Sequence, residues 1–343
     1  MIDIIVCCYN QEKFIKKTMR IYSQILDVGT KVNLIIADDS SPDRTLEIIK
    51  SIEKPDWANL NILENNGNLG FVKNYQRAYK ECKGDYVLIL EGDDWWHDPN
   101  HMKKHIDYLK THPEISMTMN RITTYSEATE ETKTYDWDET WGDSKEYNLQ
   151  EQIFINRLGN LSSCCFRGQY IRDLPEKLFN IRFADWLMGI IMAQYGNIAI
   201  LKDSTSTYRV HPKGQWSGMD YVAQNEKVLE CAELYDKFFE GKYKKDFDNL
   251  KSTVQLNLEI WNKQKNAAKT NPKAFAKKVL KFFWIRKKKV LLIFVLQKMQ
   301  EHCIADCKPS FLCLGRTKVR PFNDGFNNFQ LCHGYHYCRK KQS

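Results

Sequence analysis

The 343-residue chain is 43% hydrophobic and 27% charged, which excludes a disordered or fibrous polypeptide and leaves room for one large core or two domains. Its net charge of +8 is unevenly placed: residues 271–343 hold 16 Lys and Arg against 3 acids, leaving 35 against 40 in residues 1–270. That balance argues against a nucleic-acid binder, and no run reaches the roughly 18 apolar residues of a membrane span.

The chain enters a strand directly at Ile2, with no basic leader. The pairs Cys7-Cys8 and Cys164-Cys165 lie inside apolar runs, as buried free thiols do. Both features predict a reducing, cytoplasmic setting. Ile2 to Cys7 reads as a buried strand. Ile15, Met19, Tyr22 and Leu26 recur at helical spacing. Val32 to Ala37 is a second strand, and Ser41-Pro42 predicts an N-cap followed by a helix carrying Leu46, Ile49 and Ile52. Asn59 to Leu63 is a third strand. Phe71, Tyr75, Ala78 and Cys82 form the next helical stripe, with Gly84 as its stop. Asp85 to Leu90 is a fourth strand, and Asp98-Pro99 opens a helix that Pro113 closes. The polar stretch 129–147 predicts a long loop or hairpin. Leu161 to Phe166 reads as a strand, Asp185 to Tyr195 as a helix and Ile198 to Leu201 as a strand. Residues 220–265 are helical, with Val228, Leu229, Leu234, Phe238 and Phe239 as core positions.

Alternating apolar strands and amphipathic helices predict an α/β fold with a mostly parallel sheet flanked by helices, followed by a helical C-terminal region. Ligands of such sheets bind beyond the carboxyl ends of the strands. Three polar clusters fall there: Cys8-Tyr9-Asn10, Asp38-Asp39-Ser40 and Glu91-Gly92-Asp93-Asp94. Crowded carboxylates repel, so the last cluster is either a cation site or an acidic surface turn. Asn68, Gly70 and Lys73 at a helix start suit a diphosphate, against the alternative of a plain loop with a surface lysine.

The stretches V-C-C-Y-N-Q-E-K-F-I (6–15), I-I-A-D-D-S-S-P-D-R-T (35–45), N-N-G-N-L-G-F-V-K-N (65–74) and G-D-Y-V-L-I-L-E-G-D-D-W-W (84–96) resemble, in order and spacing, the GT-A-fold family 2 glycosyltransferases. F-A-D-W (183–186) and Y-R-V-H-P-K-G-Q-W-S (208–217) resemble the subgroup that builds surface polysaccharides. Cys8 stands where the family usually has proline, and Glu91 where it usually has aspartate. The Gln-x-x-Arg-Trp motif of processive members is absent, which resembles an enzyme adding one sugar or a few.

The resemblance implies a Rossmann-like GT-A domain over 1–217, with a nucleotide-binding half to about 115 and an acceptor half after it. A helical extension over 218–270 and a basic, Cys-rich tail over 271–343 follow. It implies a nucleotide-sugar donor, a UDP-sugar, and a divalent metal, Mn2+ or Mg2+. The nucleotide set is Cys8, Tyr9, Asn10, Glu12, Asp38, Asp39, Asn68, Gly70, Lys73 and Gly92. Asp93, Glu91, Asp94 and His211 are the expected metal ligands. Arg209, Trp95 and Trp186 are expected to touch phosphate or sugar, with Trp96 as a further wall. Asp185 is the expected general base; read without the resemblance, it is equally a helix cap. Residues 273–298 mix Lys and Arg with Phe282, Phe283, Trp284 and the apolar run Val290 to Leu296, which suits an anionic membrane surface or a terminal helix packed on the domain. The expected acceptor is a glycan or a lipid-linked glycan. A nucleotidyltransferase would need a glycine-rich loop after the first strand, which Cys8-Tyr9-Asn10-Gln11 lacks. A catalytically silent sugar-nucleotide-binding protein remains the other reading.

Overall fold

The computed structural model describes residues 1–21, 29–53, 56, 58–181, 185–211 and 219–270. The expected helix positions Tyr22 and Leu26, the Phe183-Ala184 pair, the segment 212–217 and the whole basic tail lie outside them. The chain forms two compact units. Among the described residues, one holds 1–219 and 231–250, and the other holds 220–230 and 251–270.

In the first unit, strands β1 (Ile2–Cys8), β2 (Val32–Asp38), β3 (Ala58–Leu63) and β4 (Tyr86–Glu91) run parallel in the order β3-β2-β1-β4. Every residue of β1 is buried, because helices cover both faces of a parallel sheet. These include α1 (Ile15–Thr18), α2 (Thr45–Ser51) and α3 (Phe71–Lys80). The sheet continues through β10 (Cys164–Arg167), β6 (Ile115–Asn120), β11 (Asn197–Leu201) and β9 (Ser144–Tyr147). There β10 runs antiparallel to both its neighbours and β9 is antiparallel to β11. The sheet is therefore mixed beyond β4. A second sheet, in the order β5 (Trp95–Trp96), β12 (Ser206–Val210), β7 (Thr123–Ser126) and β8 (Glu131–Thr134), was not expected beyond a hairpin.

Three local expectations are corrected. Ser41 does not cap a helix: its hydroxyl bonds Asp38 and receives the Asn10 N–H, and α2 starts at Thr45, whose N–H bonds Asp43 at 3.0 Å. Gly84 does not stop α3. It lies where a Cβ would come within 3.0 Å of Asp3 N and Met1 O, so its role is close approach to β1. Phe71 is exposed, and the buried face of α3 is Asn74, Tyr75, Ala78 and Tyr79.

Helix α4 (His101–Thr111) packs His101, Met102, His105, Ile106 and Leu109 inward. A short turn at Leu161–Ser163 replaces the first half of the strand expected at 161–166. Helices α5 (Leu149–Phe154), α6 (Gly168–Arg172) and α7 (Asp185–Ala193) complete this region. In α8 (Tyr221–Phe238) the buried residues are Ala232, Tyr235 and Phe238 rather than Val228, Leu229 and Leu234. Phe239, expected in the core, is only half-buried beyond the helix end. In the second unit, Tyr221 stacks near Trp261 of α9 (Lys244–Thr270), with ring centroids 4.7 Å apart.

Candidate active site at the sheet edge

The parallel register sets the site level. Cys8 pairs with Asp38 and Cys7 with Glu91, so the turns after β1, β2 and β4 leave the sheet side by side. Two of these turns hold non-glycine residues in the left-handed region, Asn10 (φ 56°) and Ser40 (φ 57°). Such conformations persist where surrounding bonds over-determine them. Ser41 Oγ accepts the Asn10 N–H at 3.0 Å, and Ser40 Oγ donates to Asn65 O at 2.8 Å. Glu12 joins the first two turns, its N–H bonding Asp43 at 2.9 Å and its carboxylate accepting the Arg44 N–H at 3.2 Å.

Both aspartates at the end of β2 are buried. Asp38 accepts the Ser41 N–H at 3.0 Å. Asp39 accepts Asn65 Nδ2 at 3.0 Å and the Leu69 and Gly70 N–H groups at 2.8 Å each. This corrects the diphosphate cradle expected at 68–70: two of its amide donors already face a carboxylate. Asn68 bonds Asp39 O and the Gly70 N–H, and Gly70 takes φ +82°, which favours glycine. Lys73 is exposed and bonds Gln76 at 3.1 Å. Tyr9 is 46% exposed at the end of β1, whereas Cys8 is buried with its thiol toward Asp38. Burial, then Asp38, pushes that thiol well up.

The acidic turn is built from below and from the side. Thr18 Oγ1 lies 2.8 Å from both Gly92 O and Asp94 O. Gly92 is required, because a Cβ there would sit 2.8 Å from the Cβ of Cys8, which is fixed at the end of β1. Asp94 is fully buried, with Oδ1 accepting the Arg209 N–H at 2.8 Å and Oδ2 accepting Asn160 Nδ2 at 2.7 Å. Burial, then the Asp93 charge, pushes its carboxyl up to about 8. Asp94 is thus the bolt joining β4, the 160 turn and β12, and not the assisting metal ligand expected.

Arg209 is also turned inward. Its Nε donates to Asp93 O at 2.8 Å, Nη1 lies 3.2 Å from Glu127, and its guanidinium faces Phe14 at 4.5 Å and Trp95 at 5.0 Å. The phosphate contact expected of it gives way to a clamp on the acidic turn. Lys17 Nζ sits 3.2 Å from the Trp95 ring centre, so cations cover that ring. Trp96 stacks on His101 at 4.1 Å and donates Nε1 to Ser162 O. Trp186 donates Nε1 to Gln152 O at 2.8 Å and meets Tyr235 edge-on. Of the three tryptophans expected as sugar walls, Trp96 and Trp186 are buried packing residues, while Trp95 is half-buried beneath Lys17 and Arg209.

What remains open is a small acidic set. Asp93 Oδ2 lies 3.3 Å from His211 Nε2, with side chains 22% and 18% exposed. That hydrogen bond raises the imidazole above its ordinary range. Glu91 bonds Ser162 through its N–H at 2.9 Å and lies 3.4 Å from the Tyr75 hydroxyl. Burial, then the charges of Asp94, Asp93 and Asp185, pushes its carboxyl well up. Asp185, at the start of α7, accepts the Trp186 N–H at 2.8 Å and Asn156 Nδ2 at 3.2 Å, both on Oδ1. Burial raises it to about 6. The same four carboxyls raise the Tyr208 hydroxyl, after its burial, so the charge of Asp185 is felt at the acidic turn although some ninety residues separate them in the chain.

Among the described residues no cluster of three His, Cys, Asp or Glu side chains is set for a metal ion. A carboxylate facing an imidazole nevertheless fits a divalent cation that completes its shell with phosphate oxygens and water. Thr18, Asn156, Asn160, Ser162 and Glu127 were not foreseen. They are single polar residues within helices or loops and carry no pattern of their own.

The sequence description Glycosyl transferase family 2 matches residues 3–173. An uncharacterized protein of Mycobacterium tuberculosis is 26% identical over 217 residues, 62% of this chain and 60% of that protein. The chain thus spans less than two thirds of that relative's length. Staphylococcus aureus TarS 1–349 in complex with UDP-GlcNAc aligns with a TM-score of 0.52 at 19% identity, over 68% of this chain and 64% of its own. The mannosyltransferase PcManGT from Pyrobaculum calidifontis in complex with GDP-Man and Mn2+ aligns with a TM-score of 0.55 at 13% identity, over 88% and 84%. At such identities the structural likeness is one of fold, the GT-A arrangement. Through residues 3–173 the chain belongs to the family 2 glycosyltransferases.

Proposed function

We propose that this chain moves one sugar, a hexose or N-acetylhexosamine, from a UDP-sugar to a hydroxyl of a glycan or lipid-linked acceptor, with inversion at the anomeric carbon. The observation that carries the reading is the Asp93–His211 pair in the turns after β4 and β12, beside the turns of β1 and β2, with the charge of Asp185 acting on Glu91 of the same turn. UDP is favoured by the likeness of the Asp38-Asp39 stretch to the family's base-recognition pair. The complex of TarS with UDP-GlcNAc also supports it.

Asp185 acts as the base. Its Oδ1 is held by Trp186 and Asn156, which leaves Oδ2 to take the proton of the acceptor hydroxyl. The deprotonated oxygen attacks the anomeric carbon from the face opposite the leaving diphosphate, through an oxocarbenium-like transition state. Asp93 and His211 would hold Mn2+ or Mg2+, which neutralises charge on the leaving diphosphate. Asp94, Arg209 and Thr18 fix the turn that presents Asp93. Glu91, crowded by three carboxylates, lowers the tolerance of this edge for further negative charge unless a cation is bound. No helix among the described residues is long and apolar enough to cross a membrane. The basic segment 273–298 would dock the enzyme on an anionic bilayer, where a lipid-linked acceptor lies.

The test is calorimetric titration with UDP and with UDP-sugars, with and without Mn2+. Asp93→Ala abolishes the Mn2+-dependent part of UDP binding while the circular dichroism spectrum stays native. Unchanged UDP affinity of Asp93→Ala in Mn2+ overturns the metal assignment. Absence of UDP binding by the wild-type protein overturns the donor assignment.

A further inference from the structure

A cleft of about 320 Å3 opens between α5 and the start of α9, lined by Gln150, Glu151, Phe154, Arg157, Asp246 and Asn249. None of these residues belongs to the acidic set around Asp93. The volume lies at the lower end of small-ligand clefts. Phe154 leaves 37% of its surface exposed there, an apolar face among amides, carboxylates and a guanidinium. Arg157 is fixed over the Tyr147 ring at 4.5 Å, and its Nε is buried with no hydrogen-bond partner among the described residues.

Charge decides the class of ligand. Two carboxylates, Glu151 and Asp246, face one guanidinium, so a phosphate or phosphodiester would meet net repulsion. Neutral hydroxyls suit every group: the carboxylates and amide oxygens accept, the amides and Arg157 donate, and the Phe154 ring covers C–H groups. Glu151 keeps one oxygen for this, its other accepting the Asn148 N–H at 3.0 Å in the capping box of α5. The same segment also supports the base. Asn156 donates to Asp185 at 3.2 Å, and Gln152 O accepts Trp186 Nε1.

We propose that this cleft is an acceptor subsite that holds a neutral sugar residue of the glycan being extended. The proposal rests on the reading of Asp185 as the base of a sugar transfer. Its test uses the full-length protein and saturation-transfer NMR with methyl β-cellobioside, maltose and N,N′-diacetylchitobiose, with a glycerol-phosphate oligomer as the anionic probe. At least one neutral disaccharide binds, and Phe154→Ala weakens it tenfold or more. Arg157→Lys, which keeps the charge and removes the planar guanidinium, weakens it as well. UDP binding and slow hydrolysis of the UDP-sugar stay at wild-type levels in Phe154→Ala, showing that the variant is folded. The proposal falls if no neutral disaccharide binds, if Phe154→Ala binds it as the wild type does, or if the anionic oligomer competes more tightly. Loss of UDP-sugar binding by the wild-type protein, with disaccharide binding intact, would instead sink the transferase reading.

Discussion

Asp185 shows how one carboxyl is tuned at this site. Burial lifts it to about 6, while the Trp186 N–H and Asn156 hold its charged form and limit the rise. A base must be deprotonated to act, so transfer falls as pH drops through about 6. The acid limb of kcat/KM for the acceptor should report that value, and a limb below pH 4.5 would argue against Asp185 as base. Asp185→Asn should keep nucleotide affinity and lower kcat by about 10²–10⁴-fold, measured by UDP release. Thr18 makes a different kind of contribution. Thr18→Val removes the hydroxyl that reaches Gly92 O and Asp94 O and should cost about 1–3 kcal/mol in urea unfolding, because two buried carbonyls lose their donor. It should also weaken Mn2+-dependent UDP binding by displacing Asp93; stability loss with unchanged binding would confine Thr18 to the core. At this scale the sequence was legible where residues came as clusters at strand ends: Asp93 and His211 were both singled out, and they lie 3.3 Å apart. It misled where a side chain's direction decides the role. Arg209, Asp94, Trp96 and Trp186 have the chemistry of ligand contacts, and each is turned inward by a partner distant in the chain.

Helix α4 carries a pH dependence of its own. His101 and His105 are fully buried, with Nδ1 2.7 Å from Thr205 Oγ1 and 2.8 Å from Thr118 Oγ1. Burial, then His105, His97 and Lys104, holds His101 well below its usual range, and burial takes His105 down to about 3. Both are therefore neutral in the fold, whereas the unfolded chain binds protons near 6.5. Their contribution is present above pH 6.5 and is lost as pH falls toward the folded values. Each adds up to about 1.4 kcal/mol per pH unit to that slope. The urea midpoint should fall steeply from pH 6.5 to pH 4.5. The double variant His105→Leu/Thr118→Val, which removes both hydrogen-bonding partners, should flatten the slope; an unaltered slope would show that other groups dominate acid unfolding. The elements themselves were legible wherever one period ran unbroken, as in β1 to β4 and α4. The second sheet was not, because β5 has two residues and β8 is exposed throughout, so neither shows an apolar alternation. The start of α2 was missed for a local reason: Ser41 offers a cap, but Asp38 and Asn10 claim its hydroxyl first.

The charge of the whole molecule is divided against itself. Residues 1–270 carry 35 bases and 40 acids, and every candidate site residue lies between 8 and 211; the final 73 residues carry 16 bases and 3 acids. An anionic bilayer therefore repels the catalytic part weakly and attracts the tail, by about 1 kcal/mol for each Lys or Arg that reaches the surface. Electrostatic attraction of this kind is screened within about 10 Å at 0.1 M salt, so docking through the tail must be salt-sensitive. The full-length protein should float with phosphatidylserine liposomes in 50 mM salt and be released in 500 mM salt. A chain ending at Thr270 should stay at the bottom of the gradient while binding UDP as the full-length protein does. Flotation of the shortened chain would move the membrane contact to the described residues. There Leu256, Ile260 and Trp261 of α9 are the exposed apolar side chains nearest the tail in sequence. Failure of the full-length protein to float at low salt would remove the membrane reading and leave the basic tail without a bilayer partner, whatever the outcome for the acidic turn at Asp93.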